Sequence, residues 1–319
     1  MTGRERVKKA VLFQCPDRIP RSLPGDWGTD FLGTWVGLDP KWAPKVEGED
    51  EFGCVWEKLA GDKTMGQVRN HPLADYSLLG NWQWPDYSVD ARYDDVRKAV
   101  QNNPDARFII CGTNISLWHR LEYMRGSEFA YTDPYEHPEE LGKFLDRLAD
   151  TAIIAIRKMG KEGVDGFIIV DDWGWQDRPM ISPELFRKFF KPRYARIFGA
   201  AHESGLLTFQ HSCGYIMPLL DDFIEAGLNV IQMDQQENMG VEELSRRFGG
   251  RICFWCPVDI QQTMIKGSVQ DVEKYARRLI SELGKFNGGF MATWYSAPDA
   301  AGHTQEKIDA MCRAFCGKC

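Results

Sequence analysis

From about residue 100 onward, short, mainly apolar runs alternate with longer segments whose apolar residues recur at helical spacing. The runs are 107–111 (RFIIC), 166–170 (GFIIV), 206–210 (LLTFQ), 229–233 (NVIQM), 251–255 (RICFW) and 289–293 (GFMAT). Between them the spacing predicts helices over 138–159, 182–202, 216–225, 241–248 and 268–283, with a last one over 305–315. In the first of these, Leu141, Phe144, Leu145, Leu148, Ile153 and Ile156 share one side. Ser182-Pro183 carries a start signal, a serine cap followed by proline at the first helical position. Gly205, Gly227, Gly249 and Gly284 follow helix ends. Short strands apolar on both faces, separated by helices, belong to parallel sheets with right-handed crossovers.

The first hundred residues are less regular. Residues 18–22 (RIPRS) are read as the first strand and 52–56 (FGCVW) as the second. Two strands added to the six above make eight, the number that closes a parallel barrel. The expectation is therefore an α/β fold of the (β/α)8 (TIM barrel) type, a single domain over residues 1–319. An open doubly wound sheet is the architectural alternative, but no G-x-G-x-x-G follows any of the runs.

Composition narrows the function classes. With 43% hydrophobic and 27% charged residues, a chain of 319 can bury a large core. A net charge of −7 lacks the basic surplus of a nucleic-acid binder. No apolar stretch is long enough to span a bilayer, and the basic N-terminus is not followed by the apolar core of a signal peptide. Nine cysteines, an odd number scattered through a chain of this size, point to a reducing compartment and a cytoplasmic location.

In a (β/α)8 barrel, the polar residues just past the strand ends converge on one face. Here those are Asp171 and Asp172, then His211 and Cys213, then Asp234, then Cys256 and Asp259. The pair His211-x-Cys213 offers an imidazole and a thiolate to one ion, a set that zinc accepts, with Cys256 and Asp234 as further ligands from neighbouring strands. A buried cysteine beside a hydrogen-bonded histidine, without metal, is the plainer alternative. Asp171 and Asp172 are candidate acid–base groups, or else one of them caps a turn or pairs with Arg178. Cys253 is read as core. His119 and His303 are read as isolated polar residues, and the C-terminal Cys312, Cys316 and Cys319 as incidental rather than a cluster site. Trp173, Trp175, Trp255, Trp294 and Tyr295 also stand at strand ends, with Trp27 in an early loop; they are the candidate walls of a pocket for a planar ligand.

Several stretches together resemble the uroporphyrinogen decarboxylase superfamily. They are RERVKKAV…PDRIP, DEFGCVWE, DDWGWQDRPMISPELFRKFFKPRY, HSCGYI, GGRICFWCPVDIQ and GGFMATWY. That superfamily includes zinc-dependent methylcobalamin:coenzyme M methyltransferases and corrinoid-dependent O-demethylating methyltransferases. The resemblance implies a (β/α)8 barrel. The decarboxylases carry an arginine-rich segment after the first strand that grips substrate carboxylates; RSLPGDWGTD here holds only Arg21, at its start. The thiol methyltransferases carry H-x-C and a later cysteine. His211 and Cys213 match the first two, and Ser296 stands at the third. Either Cys256 replaces that ligand, or an acidic residue such as Asp234 or Glu237 does, or the site is built without zinc. The implied function is methyl transfer between a small substrate, a methoxylated aromatic or a thiol, and a corrinoid on a partner protein; a homodimer is left open. A cofactor-free decarboxylase or lyase, and a barrel that only binds a ligand, are the alternatives.

Overall fold

In the computed structural model, which describes residues 1–58 and 66–317, the strands are β1 (Arg21–Ser22), β2 (Phe31–Trp35), β3 (Val55–Glu57), β4 (Gln67–Asn70), β5 (Phe108–Gly112), β6 (Gly166–Val170), β7 (Leu207–His211), β8 (Val230–Gln232), β9 (Cys253–Cys256) and β10 (Phe290–Thr293). Eight of them form one parallel sheet in the order β1-β10-β9-β8-β7-β6-β5-β2. The sheet curls until its two edges meet: the Asp30 N–H donates to the Arg21 carbonyl at 2.8 Å, and Ser22 bridges Thr29. The result is a nearly closed TIM barrel. The β-branched Ile109, Ile110, Ile168, Ile169, Val230 and Ile231 suit strands with no solvent-facing side.

Strand side chains alternate between the barrel interior and the helix layer. The interior is filled by Phe31, Phe108, Ile110, Phe209, Val230, Cys253 and Met291, and Val7, Ala10 and Val11 of the helix Gly3–Val11 pack beneath them. That helix starts on a capping box formed by Thr2 and Glu5. It plugs the amino end of the barrel, so open space remains at the carboxyl end. The opposite faces of the strands join Leu145, Leu148, Phe198, Leu244 and Leu279 of the surrounding helices in the larger core.

Two expectations are corrected. The second barrel strand is β2 (Phe31–Trp35), not residues 52–56. FLGTW hides its role because Gly33 and Thr34 interrupt the apolar run; it is a strand through its five-residue parallel register with β5. Val55–Glu57 instead pairs antiparallel with Gln67–Asn70 in a ribbon outside the barrel, and Phe52 packs under the Arg120 guanidinium at 4.0 Å. The helix expected over 182–202 is broken into Pro183–Leu185, a π-helical turn Phe186–Phe190 and Lys191–Glu203. Pro192 has no N–H for the Lys188 carbonyl, and the wider turn accommodates that missing bond. Among the described residues no helix is long and apolar enough to cross a membrane.

The excursion between β2 and β5 is held by buried ion pairs. Arg92, 2% exposed, grips both oxygens of Glu51 at 2.9 and 2.6 Å and also donates to the carbonyls of Gly37 and Asp86. Arg125 holds Asp133 in the same forked way, at 2.8 and 2.7 Å. Removing one partner strands the other charge in the core. Arg92→Met is therefore expected to lower unfolding stability by about 3–5 kcal/mol. Adding Glu51→Met should recover a large part of that loss; urea melts of the two variants that show equal midpoints would contradict it.

Candidate active site

The open end of the barrel is a cavity of about 790 Å³ lined by residues from most of the strands. β6 delivers Asp172, β7 delivers His211 and Cys213, β8 delivers Gln232 and Asp234, β9 delivers Trp255, and β10 delivers Thr293, Trp294, Tyr295 and Ser296. Trp35 and Asn114 come from the ends of β2 and β5, and His119, Arg120 and Tyr123 from the helix Trp118–Arg125. The floor is Trp255, stacked on Phe31 with ring centres 4.8 Å apart.

Register makes the cluster. Val170 pairs with His211, and His211 with Gln232, across β6, β7 and β8. The amide of Gln232 donates from Nε2 to Asp234 Oδ1 at 2.7 Å, so its Oε1 is the acceptor that faces His211 Nδ1. With Nδ1 donating there, His211 presents Nε2 to the cavity, 3.4 Å from Cys213 Sγ and 3.4 Å from Asp172 Oδ1. Asp172 Oδ1 also accepts the Cys213 N–H at 2.7 Å. The loops carrying these residues lie backbone to backbone. A Cβ on Gly174 would stand 2.3 Å from the Tyr215 nitrogen, and Gly214, at φ +78°, lies under the Gly174 carbonyl. Both positions need glycine, which explains the G of HSCG and of DDWG together.

One ligand atom each from Asp172, His211 and Cys213 lie within 4.8 Å of one another. Carboxylate oxygen, imidazole nitrogen and thiolate sulfur are the donor types zinc takes, and the Gln232 contact is the kind that orients a metal-binding histidine. The three residues fit a zinc ion. Electrostatics agree that the groups are coupled. Burial opposes charge on His211, yet Asp172 and Cys213 beside it hold its imidazole well above the ordinary range. Burial would raise Asp172, but contacts with His119 and His211 hold its carboxyl far below the usual carboxylate range. Burial pushes the Cys213 thiol up, with His211 pulling the other way.

Other residues singled out from the sequence lie elsewhere. Cys256 is fully buried: in β9, Cys253 and Trp255 face the interior, so Phe254 and Cys256 face the helices, and it cannot reach His211. Asp234 lines the cavity and accepts from the Gln232 amide, outside the three-residue cluster. Glu237 pairs with Arg278 at 2.9 Å, and Asp259 caps the next turn by accepting from the Gln262 and Thr263 N–H groups. Trp173 is buried and donates its indole N–H to the Tyr194 hydroxyl at 2.9 Å; Trp175 is 52% exposed and off the cavity. The Trp27 indole donates to Asp309 by the last helix, and it too does not line the cavity. Arg178 pairs with Asp177, not with either member of the Asp171-Asp172 pair. Cys253 and Cys312 are buried, Cys316 accepts from Arg21, and Cys319 lies outside the described residues. His303 faces the Ile260 carbonyl.

Asp171 is a support rather than an acid–base group. Fully buried, it accepts the N–H groups of Leu117, Trp118 and His119 at 2.7–2.8 Å and the Tyr194 hydroxyl at 2.7 Å. It thereby caps the helix Trp118–Arg125. That helix brings in His119, which the sequence left isolated: its Nε2 lies 3.2 Å from the Asp172 backbone nitrogen and 3.5 Å from Oδ2. His119 sits well beyond the end of β5, on a helix, so no strand-end signal marks it. Gln232 was in view inside NVIQM, but only the register with His211 reveals its role. Asp171→Ala, which orphans three buried N–H donors, is expected to cost about 3 kcal/mol. Thermal melts showing less than a third of that would mean the cap is not structural.

Comparison with known proteins places the chain. The family model for uroporphyrinogen decarboxylase (URO-D) matches residues 61–294. Among curated proteins, the uroporphyrinogen decarboxylase of Magnetococcus marinus is 22% identical over 188 residues, 56% of this chain and 49% of that protein. That of Geobacillus kaustophilus is 25% identical over 170 residues, 51% of this chain and 46% of that protein. The chain thus spans about half the length, or less, of the curated relatives it matches. Among solved structures, a methyltransferase from Methanosarcina mazei superposes with a TM-score of 0.71 over 99% of both chains at 17% identity, which shows a shared fold.

Proposed function

This chain belongs to the uroporphyrinogen decarboxylase (URO-D) family, and on that premise we propose that it is a zinc-dependent methyltransferase moving a methyl group between a small molecule and a corrinoid carried by a partner protein. The observation that carries this reading is the convergence of Asp172, His211 and Cys213 at the wall of an aromatic cavity. Three protein donors are the complement of a catalytic zinc site. Zinc held there supplies Lewis acidity toward a leaving oxygen, or keeps a substrate thiol as thiolate. The protein's own share is orientation: Gln232 fixes which nitrogen of His211 faces inward, and Asp172 ties the Cys213 loop to it. Trp35, Trp255, Trp294 and Tyr295 offer flat apolar walls, suited to a compact or planar methyl donor such as a methoxylated aromatic. Ser296, where related methyltransferases carry a cysteine, brings a hydroxyl to the same cavity.

Porphyrinogen decarboxylation finds less support. A substrate with several carboxylates needs several free guanidinium groups. Arg21 is turned to Cys316, and Arg120, which does line the cavity, is held by Asp50 at 2.7 Å and by the Asn114 carbonyl at 2.9 Å.

The test is metal analysis followed by turnover. The purified protein should carry about one zinc per chain, lost in His211→Ala and Cys213→Ser, while Gln232→Leu weakens the site by about 10- to 100-fold. With a reduced corrinoid protein and a panel of methoxylated aromatics, methylated thiols and methylated amines, the cobalt spectrum should change, and chelation should abolish that change until zinc is restored. A lyase activity that survives exhaustive chelation would overturn the proposal in favour of a cofactor-free decarboxylase.

A further inference from the structure

We infer that the cavity selects a small organic cation, an alkylated ammonium or sulfonium group, with Asp234 as its counter-charge. The inference takes from the methyl-transfer reading only that this cavity is the substrate site. It rests on a count of charge. Each side chain in the cavity able to carry positive charge is already committed, and a zinc ion on Asp172, His211 and Cys213 would be balanced by the carboxylate and thiolate that hold it. Arg120 is clamped by Asp50 and lies flat on Phe52. His119 turns to Asp172 at 3.5 Å, and His211 to Asp172 and Cys213 at 3.4 Å each.

Asp234 has no such partner. It is 6% exposed, lines the cavity, and makes no ion pair among the described residues; its one side-chain hydrogen bond is the 2.7 Å contact from the neutral Gln232 amide. A carboxylate nine-tenths buried without an ion-pair partner is an unfavourable arrangement that a bound cation relieves. The surroundings specify which cation. Trp255 forms the floor, with Trp294, Tyr295 and Trp35 on the walls. Tyr295 lines the same cavity as Asp234, and its hydroxyl is pushed up by partial burial and by the Asp234 charge. Aromatic faces attract a cation that sheds water easily, so an alkylated onium group is favoured over a strongly hydrated primary ammonium.

Two probes of nearly equal shape separate charge from size: choline and its uncharged carbon analogue 3,3-dimethylbutan-1-ol. Their binding to the zinc-loaded protein is followed by quenching of tryptophan fluorescence, with neither corrinoid nor turnover required. Choline should bind at least about tenfold more tightly than the alcohol. In Asp234→Asn, the preference for choline over the alcohol should shrink to about threefold or less. If that variant fails to fold, the ranking of the two probes on the natural protein decides alone. Equal binding of the two, or tighter binding of the alcohol, would overturn the inference. Onium preference in a protein that transfers no methyl group would refute methyl transfer only, and methyl transfer from neutral donors without onium preference would refute this inference only.

Discussion

The parallel ladder sets His211 between Val170 and Gln232, and the chemistry of the barrel mouth depends on that register. Strand side chains alternate, so a slip of one residue would turn His211 into the helix layer and bring Gln210 inward. In register, the imidazole meets the Gln232 carbonyl oxygen on one side and the Asp172 and Cys213 groups on the other. The amide's other end is tied to Asp234, so orientation is passed along a short chain of polar contacts rather than fixed by one.

That arrangement needs an open top and a closed bottom. The rings of Phe31, Phe108, Phe209 and Trp255 contact one another at 4.8–5.9 Å and fill the middle of the barrel. The helix Gly3–Val11 seals the other end, with Arg6 anchored to Asp17 and Asp30. Trp255 therefore serves both the packed core below and the cavity above, and its place in β9 sends Cys256 outward.

Arginines in the upper half of the molecule are spent on structure. Arg92, Arg120 and Arg125 each hold an acidic partner and stack on an aromatic ring, which keeps the long excursion between β2 and β5 folded over the barrel. Their commitment sets the electrostatic character of the cavity: its unpaired charge is a carboxylate. Asp171 and Asp172 show how neighbours in sequence diverge under the same constraint. One faces backbone N–H groups at a helix start and the other faces the cavity, because successive residues leaving a strand point to opposite sides.

What the sequence by itself determined was periodic. Apolar runs of strand length, helices with one apolar stripe and a cap such as Ser182 were enough for the parallel barrel, and the strand-end rule led to His211, Cys213 and Asp172. Those signals are local, carried by residues a few positions apart. Tertiary structure alone decided that FLGTW is a barrel strand, that His119 reaches the cavity from a helix, that Gln232 orients His211 and that Cys256 does not. Each of these follows from register between strands, or from a helix cap supplied by a residue more than fifty positions away. Spacing along the chain carries no record of which strand lies beside which, and so none of which side chain faces which.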